Sequence, residues 1–281
     1  MKKLFHKICS FGGGLPLLFL LPYAITFFLN GGRKALLLYP VNEEKFVPLM
    51  LMVQMKGDYE PETVKAQAVI ARSELYRRKK EESLFSILQD KETTTKLQWL
   101  EKAEKLQLYG EAVEETKNQV LTWEGQLKIV PYHKVSNGQT RDGAEVFHSS
   151  EYEYLQSVDS SQDLAAPDYI NSTYISLSQL PRKLILKERD SAGYVTVLDI
   201  DGQYLDGEDF RLGLHLASAD FSVQKMGKAV RFLCKGKGHG LGFSQYGANE
   251  MAKAGSSWKE ILAAYFPKME IQNINDVFSG K

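Results

Sequence analysis

The chain of 281 residues is poor in cysteine, carries no net charge and shows no repeats. Cys9 lies in an apolar N-terminal stretch and Cys234 far downstream, so a disulfide between them would tie a membrane residue to the folded body and is not expected. Cys-x-x-Cys, His-Glu-x-x-His and calcium-loop patterns are all missing, so no metal or other cofactor is expected. Lys plus Arg and Asp plus Glu number 35 each, which leaves no electrostatic footprint for nucleic acid. With 43% hydrophobic and 25% charged residues, the composition excludes a wholly disordered chain and a multi-spanning membrane protein.

What is present begins with an asymmetry. Lys2, Lys3 and Lys7 precede a run from Ile8 to Gly32 that holds no charge and includes the apolar stretch Leu15 to Leu29. At ~1.5 Å per residue, roughly 20 helical residues cross a ~30 Å hydrocarbon core, so the run suits a single membrane anchor. No small-x-small site follows Leu29, which favours an uncleaved anchor over a signal peptide. Gly12-Gly13-Gly14, Pro16 and Pro22 argue against a soluble core helix there. Three lysines before the span, against Arg33 and Lys34 after it, put the N-terminus in the cytoplasm. The expected organisation is a tip and transmembrane helix over residues 1–34 and one extracytoplasmic domain over 35–281, held at the cell membrane by a single pass.

Residues 47–55 are apolar, with Pro48 placed for a first helical turn and Gly57 for a stop, and predict a short helix. A second helix is expected from Glu60-Pro61-Glu62, where Val64, Ala68, Ala71 and Leu75 form one apolar stripe that packs on the first. Arg77 to Glu82 reads as its solvated end. Residues 84–118 look helical. Gln119 to Ile129 turns to near alternation about Glu124-Gly125, a hairpin signal, and Asp190 to Ala217 mixes β-branched segments with Gly193, Asp201-Gly202 and Asp206-Gly207 turns. A final helix is expected from Ala248 to Phe266. The fold class is α+β, helix-rich first and β-rich later with a C-terminal helix.

The densest chemical feature is Cys234-Lys-Gly-Lys-Gly-His-Gly-Leu-Gly-Phe-Ser-Gln-Tyr-Gly-Ala248, whose glycines allow positive φ and close backbone approach. Neither a phosphate-cradling loop nor the Gly-x-Ser-x-Gly elbow of a serine hydrolase fits its spacing. His239, flanked by glycines, either faces a ligand or bonds to the turn's own backbone.

Four blocks stand out in order: Val47 to Met55 with Glu60 to Arg72, Tyr132 to Thr140, Tyr154 to Ser160 with Asp163, and Gly238 to Ala248 with Met251-Ala252, spanning 46–267. Together they resemble the stage II sporulation protein D (SpoIID/LytB) family. The resemblance implies a sporulation protein that works on peptidoglycan during engulfment, on denuded glycan strands, beside other engulfment wall enzymes. The implied reaction is lytic transglycosylation, in which one carboxyl protonates the glycosidic oxygen and then takes the proton of the sugar's C6 hydroxyl to close a 1,6-anhydro ring.

The family's acid stands in a Glu-Met pair before the Lys-Ala-Gln-Ala helix, and this chain has Gln54-Met55. A carboxamide cannot shuttle that proton, so the resemblance implies a lytic transglycosylase-like groove that engages glycan with cleavage impaired. The alternative is an active enzyme that recruits Asp58, Glu60 or Glu62. The zinc that some members bind through Cys and His is not expected, because Lys134 to Thr140 holds no cysteine. The implied groove residues are Gln54 at the acid position, with Tyr132, His133, Ser136, Asn137, Thr140, His239, Ser244, Gln245 and Tyr246 as substrate contacts.

Overall fold

The computed structural model describes residues 43–79 and 103–279. The expected membrane anchor and cytoplasmic tip and the first part of the helical stretch expected over 84–118 lie outside the described residues. Among the described residues no helix is long and apolar enough to cross a membrane. The described residues from Glu44 onward belong to one compact unit.

Helix α1 (Val47–Gln54) begins with Pro48 in its first turn, where a missing N–H costs nothing, and closes with Met55 N–H on the Leu51 carbonyl. Gly57, at φ 122°, then lets the chain reverse into α2 (Pro61–Lys79). The stripe of Val64, Ala68, Ala71 and Leu75 packs on Val47, Leu51, Met52 and Met55 of α1, as its spacing predicts, and α3 (Ala103–Glu115) adds Tyr109, Ala112 and Val113. One stripe understates α2, however. Its opposite face, Ala66, Val69 and Ile70, enters a second cluster with Leu121, Phe243, Ala248, Ile261, Leu262 and Phe266. The alanines leave room for elements to approach on both sides, so α2 is the central helix and not half of an isolated hairpin.

Burial of α2 extends to Arg72, whose side chain is fully enclosed. Its Nε sits 2.9 Å from Glu44 Oε1, Nη2 donates to the Val113 carbonyl at 3.0 Å and Nη1 to the Gln119 carbonyl at 3.1 Å. One guanidinium therefore ties the start of the unit, the end of α3 and the start of β1 (Gln119–Thr122).

Glu124 and Gly125, both at positive φ, form the expected tight turn, and Trp123 and Gln126 exchange backbone hydrogen bonds across it. The expected hairpin goes no further. β1 pairs instead with β10 (Glu270–Asn273), antiparallel, from the far end of the chain. Local turn chemistry fixes a turn, but an apolar strand pairs with whichever edge completes its burial.

Strand β2 (Tyr132–His133) runs parallel to β9 (Phe243–Ser244), with Tyr132 opposite Phe243 and His133 opposite Ser244. Between them in the chain lie the short helix α4 (Gly143–Phe147) and a β-rich insertion. The insertion has two three-stranded antiparallel sheets. In one, β8 (Ala229–Lys235) lies between β3 (Ile170–Ser176) and β7 (Phe221–Met226); in the other, β5 (Val195–Ile200) lies between β4 (Leu184–Arg189) and β6 (Gln203–Asp206). Helix α5 (Gly207–Gly213) closes a third cluster of Val195, Leu198, Phe210, Phe221, Phe232 and Cys234, the last a free buried thiol.

The single helix expected from Ala248 to Phe266 is two. α6 (Gln245–Lys253) gives way at Gly255, φ 96°, and α7 (Trp258–Tyr265) restarts on a capping box in which Ser257 and Glu260 bond reciprocally. Nor is it last, because β10 and α8 (Ile274–Ser279) follow. The mixed α+β class stands, helices first and sheets later.

Replacing Arg72 by Met keeps the buried stem but removes the charge that faces Glu44 and the donors to two carbonyls. This variant should lose roughly 3–5 kcal/mol of unfolding free energy, read as a lower urea midpoint at unchanged slope.

Candidate functional site

The pairing of β2 with β9 brings the Tyr132 block against the glycine-rich turn, and α1 closes on both from the helical side. Between them opens a cleft of about 570 Å³ lined by Gln54, Tyr59, Tyr132, Lys134, Lys237, Gly238 and Gln245, with Lys56 and Arg211 at its walls. Strand alternation decides which residues of the Tyr132 block reach it: Tyr132 and Lys134 share the cleft face, while His133 points into the core.

The glycine-rich turn adopts positive φ at Gly236, Gly238, Gly240 and Gly242. At Gly238 an added Cβ would sit 2.7 Å from the His133 Cβ, and at Gly240 it would sit 2.5 Å from the Tyr194 ring. Close approach of the turn to β2 at Gly238, and to Tyr194 at Gly240, therefore depends on hydrogen in place of a side chain.

Three glutamines join the helical side to the turn. Gln245 Nε2 donates to the backbone carbonyl of Gln54 at 3.1 Å and to Gln67 Oε1 at 3.3 Å, and Gln67 Nε2 donates to Gln54 Oε1 at 3.0 Å. A backbone carbonyl only accepts, so this contact fixes Gln245 with its NH₂ toward α1. Gln67 must then present oxygen to Gln245 and NH₂ to Gln54, and Gln54 must present oxygen to Gln67. The polarity of the chain leaves the Gln54 NH₂ as the group available to the cleft. Tyr59 O–H approaches Gln245 Oε1 at 3.4 Å, so the chain begins on a hydroxyl.

The two histidines form an edge-on pair with ring centroids 5.8 Å apart. His133 Nδ1 faces the Leu241 carbonyl at 3.0 Å and must carry its proton toward it, and the buried Nε2 is an acceptor with no partner among the described residues. His239 Nδ1 accepts from Leu241 N–H at 3.1 Å, so the turn's own backbone holds it. Burial lowers both imidazoles to about 4, and for His239 the neighbouring His133 adds to the effect. Both are neutral at pH 7. Among the described residues no group of three or more His, Cys, Asp or Glu could hold a metal ion.

Beneath the turn, Asp163 is fully buried and gathers Ser136 N–H at 2.8 Å, Ser160 Oγ at 3.0 Å and Ser244 Oγ at 2.8 Å. Burial raises its pKa, against the pull of those donors. Ser136 and Ser244, expected as substrate contacts, are consumed here and do not line the cleft. Thr140 is also buried and bonds to Val158 N–H and the Gln156 carbonyl. Asn137 donates to the Ala192 carbonyl and to Asp220, tying the turn to the β-rich insertion. Tyr246 lies on α6, half-buried and outside the lining, its N–H bonded to the Lys134 carbonyl at 3.0 Å. Of the expected contacts, Gln54, Tyr132 and Gln245 meet in the cleft.

Sequence reasoning missed Tyr59, Lys134, Lys237 and Arg211. The period-two alternation through Tyr132, His133 and Lys134 was a readable signal for one of them; Arg211 arrives only through the packing of α5. Lys134 and Lys237 share Asp168, at 2.7 and 3.1 Å. Burial pushes the Asp168 carboxyl upward, but the two lysines outweigh it and hold the group below the usual carboxylate range. Among the described lining residues none is a carboxylate. Asp58 is almost fully exposed beside Lys105, Glu60 is exposed, and Glu62 is engaged by Lys65 and by Trp258 N–H.

The profile of the SpoIID family, described as Stage II sporulation protein, matches residues 33–123. The chain is 31% identical over 261 residues to the Stage II sporulation protein D of Bacillus amyloliquefaciens, covering 84% of this chain and 76% of the relative. It is 31% identical over 264 residues to the Stage II sporulation protein D of Bacillus subtilis (strain 168), covering 85% and 76%. An uncharacterized protein of Brachyspira hyodysenteriae is 28% identical over 274 residues, covering 91% and 73%.

A buried neutral histidine makes the site acid-labile. The folded pKa of His133 is about 4, below the ordinary value, so the unfolded chain binds the extra proton first as pH falls. Its contribution is intact above about pH 6.5 and is lost on descending toward about pH 4, for a total of about 3 kcal/mol. Urea unfolding across that window reads the slope, and His133→Asn, which keeps a donor for the Leu241 carbonyl, should make it shallower and leave the part that His239 carries. Asp163→Ala should cost roughly 3 kcal/mol or more at neutral pH by the same measurement, because its donors are left unpaired in the interior.

Proposed function

The chain belongs to the stage II sporulation protein D family, and from that premise we propose that it is a sporulation wall protein that holds peptidoglycan glycan strands in this cleft without cutting them. It acts outside the cell membrane, tethered by its N-terminal segment, on strands stripped of stem peptides and beside the other wall enzymes of engulfment. The observation that carries the reading is the arrangement at Gln54. The residue at the family's acid position stands in the cleft, held by Gln67 and Gln245, but as a carboxamide.

Lytic transglycosylation needs one group to give a proton to the glycosidic oxygen and then take one from the C6 hydroxyl. An amide does neither at neutral pH. His133 is turned inward and His239 is neutral, so neither imidazole stores the proton, and the carboxylates of the α1–α2 turn are exposed or engaged elsewhere. What remains suits binding: Tyr132 and Tyr59 offer rings for sugar faces, and Gln54 offers directed donors.

The purified full chain, incubated with denuded glycan strands, should retain them and release no 1,6-anhydro ends detectable by mass spectrometry. Gln54→Glu should create such products at a rate about 10²-fold or more above the parent, since Gln67 is already placed to orient the new carboxyl. Turnover by the parent chain would sink the non-cleaving reading, and no gain from a correctly folded Gln54→Glu would remove Gln54 from the acid seat.

A further inference from the structure

The cleft wall presents hydrogen-bond donors and positive charge. Lys134 and Lys237 place two ammonium groups around one carboxylate, Asp168, and each remains more than two-fifths exposed on its side chain. Arg211 directs Nε and Nη2 at a single oxygen of Glu208, which leaves its Nη1 toward the Leu216 carbonyl at the cleft wall. Gln54 adds an amide NH₂ whose direction is dictated by the glutamine chain. Asp168 and Glu208, neither of them a lining residue, supply two carboxylates to these three cations, so one positive charge is left over at the wall and a complementary partner brings acceptors and negative charge of its own.

We propose that the cleft selects glycan strands carrying free carboxylates, with Lys134 and Lys237 as the specificity-determining cations and Gln54 donating to a neighbouring sugar oxygen. This rests on the glycan reading above, which already takes stripped strands, and adds the side chains that read the carboxyl which stripping exposes. A sugar whose lactyl carboxyl is free carries a charge, and the same carboxyl in amide linkage to a peptide does not. Two lysines sharing one acid can take up a second carboxylate without first losing a partner, because Asp168 neutralises only one of them. The ammonium groups are partly hydrated, so the preference is electrostatic and salt-sensitive.

The test uses the purified full chain and one preparation of denuded glycan strands, divided into untreated strands and strands whose carboxyls have been amidated with methylamine. The untreated strands should bind about tenfold more tightly than the amidated ones at low salt, with the gap closing as salt rises. Lys134→Gln together with Lys237→Gln should bring the untreated strands down to the amidated level, with the melting temperature confirming the fold. A folded double variant that keeps the full preference would overturn the assignment to these lysines. Equal binding of both strands by the parent chain would overturn this inference and leave the glycan reading standing. Binding of neither would overturn the glycan reading itself. Binding of polyglutamate as tight as that of the untreated strands would overturn selection in favour of plain polyanion attraction.

Discussion

The hydrogen bond from Gln245 Nε2 to the Gln54 backbone carbonyl joins positions 191 residues apart, and the cleft depends on it. It is where the end of α1 meets the residue that follows the glycine-rich turn. Because its acceptor is a backbone oxygen, it cannot be satisfied in reverse, and it sets the orientation of every amide behind it. A site built from three freely rotating carboxamides would be ambiguous. Anchored to one carbonyl, the set has a single polarity, and the group left facing the cleft is determined by an atom at the far end of the chain of amides.

The scaffold around that contact is arranged so that polar groups are satisfied from within. Asp163 collects donors from three separated segments, and Arg72 collects acceptors from three others. Each is a charge that would be costly in the interior if unpartnered, and each instead fixes the relative positions of segments that meet only in the folded chain. The same logic explains why several polar residues of the glycine-rich and Tyr132 blocks do not face the cleft. Ser136, Thr140 and Ser244 are small hydroxyl residues close to the site, and their bonds hold the walls in place.

Several features were legible along the chain. The starts of α1 and α2 follow from Pro48 and Pro61 and the break between them from Gly57, and the α1–α2 contact follows from a stripe of four apolar residues, because these are local properties of the backbone and of helical spacing. The tight turn at Glu124-Gly125 was equally local. Its strand's partner was not, since β10 lies about 150 positions away and pairing is settled by burial. The break between α6 and α7 was carried by Gly255 and the Ser257 to Glu260 capping box, local signals that lie in the sequence itself.

Residue type at a given place in the chain is enough to establish the family, the α+β class, the glycine-permitted close turn and the carboxamide that stands where an acid is expected. It is not enough to say which polar residues line the cleft and which are spent inside its wall, or that Lys56, Lys134, Arg211 and Lys237 gather around one cleft in a chain with no net charge. Those follow from packing between elements far apart in sequence, because packing sets the direction of each side chain and brings distant charges together. Composition sums the charges; only the fold places them.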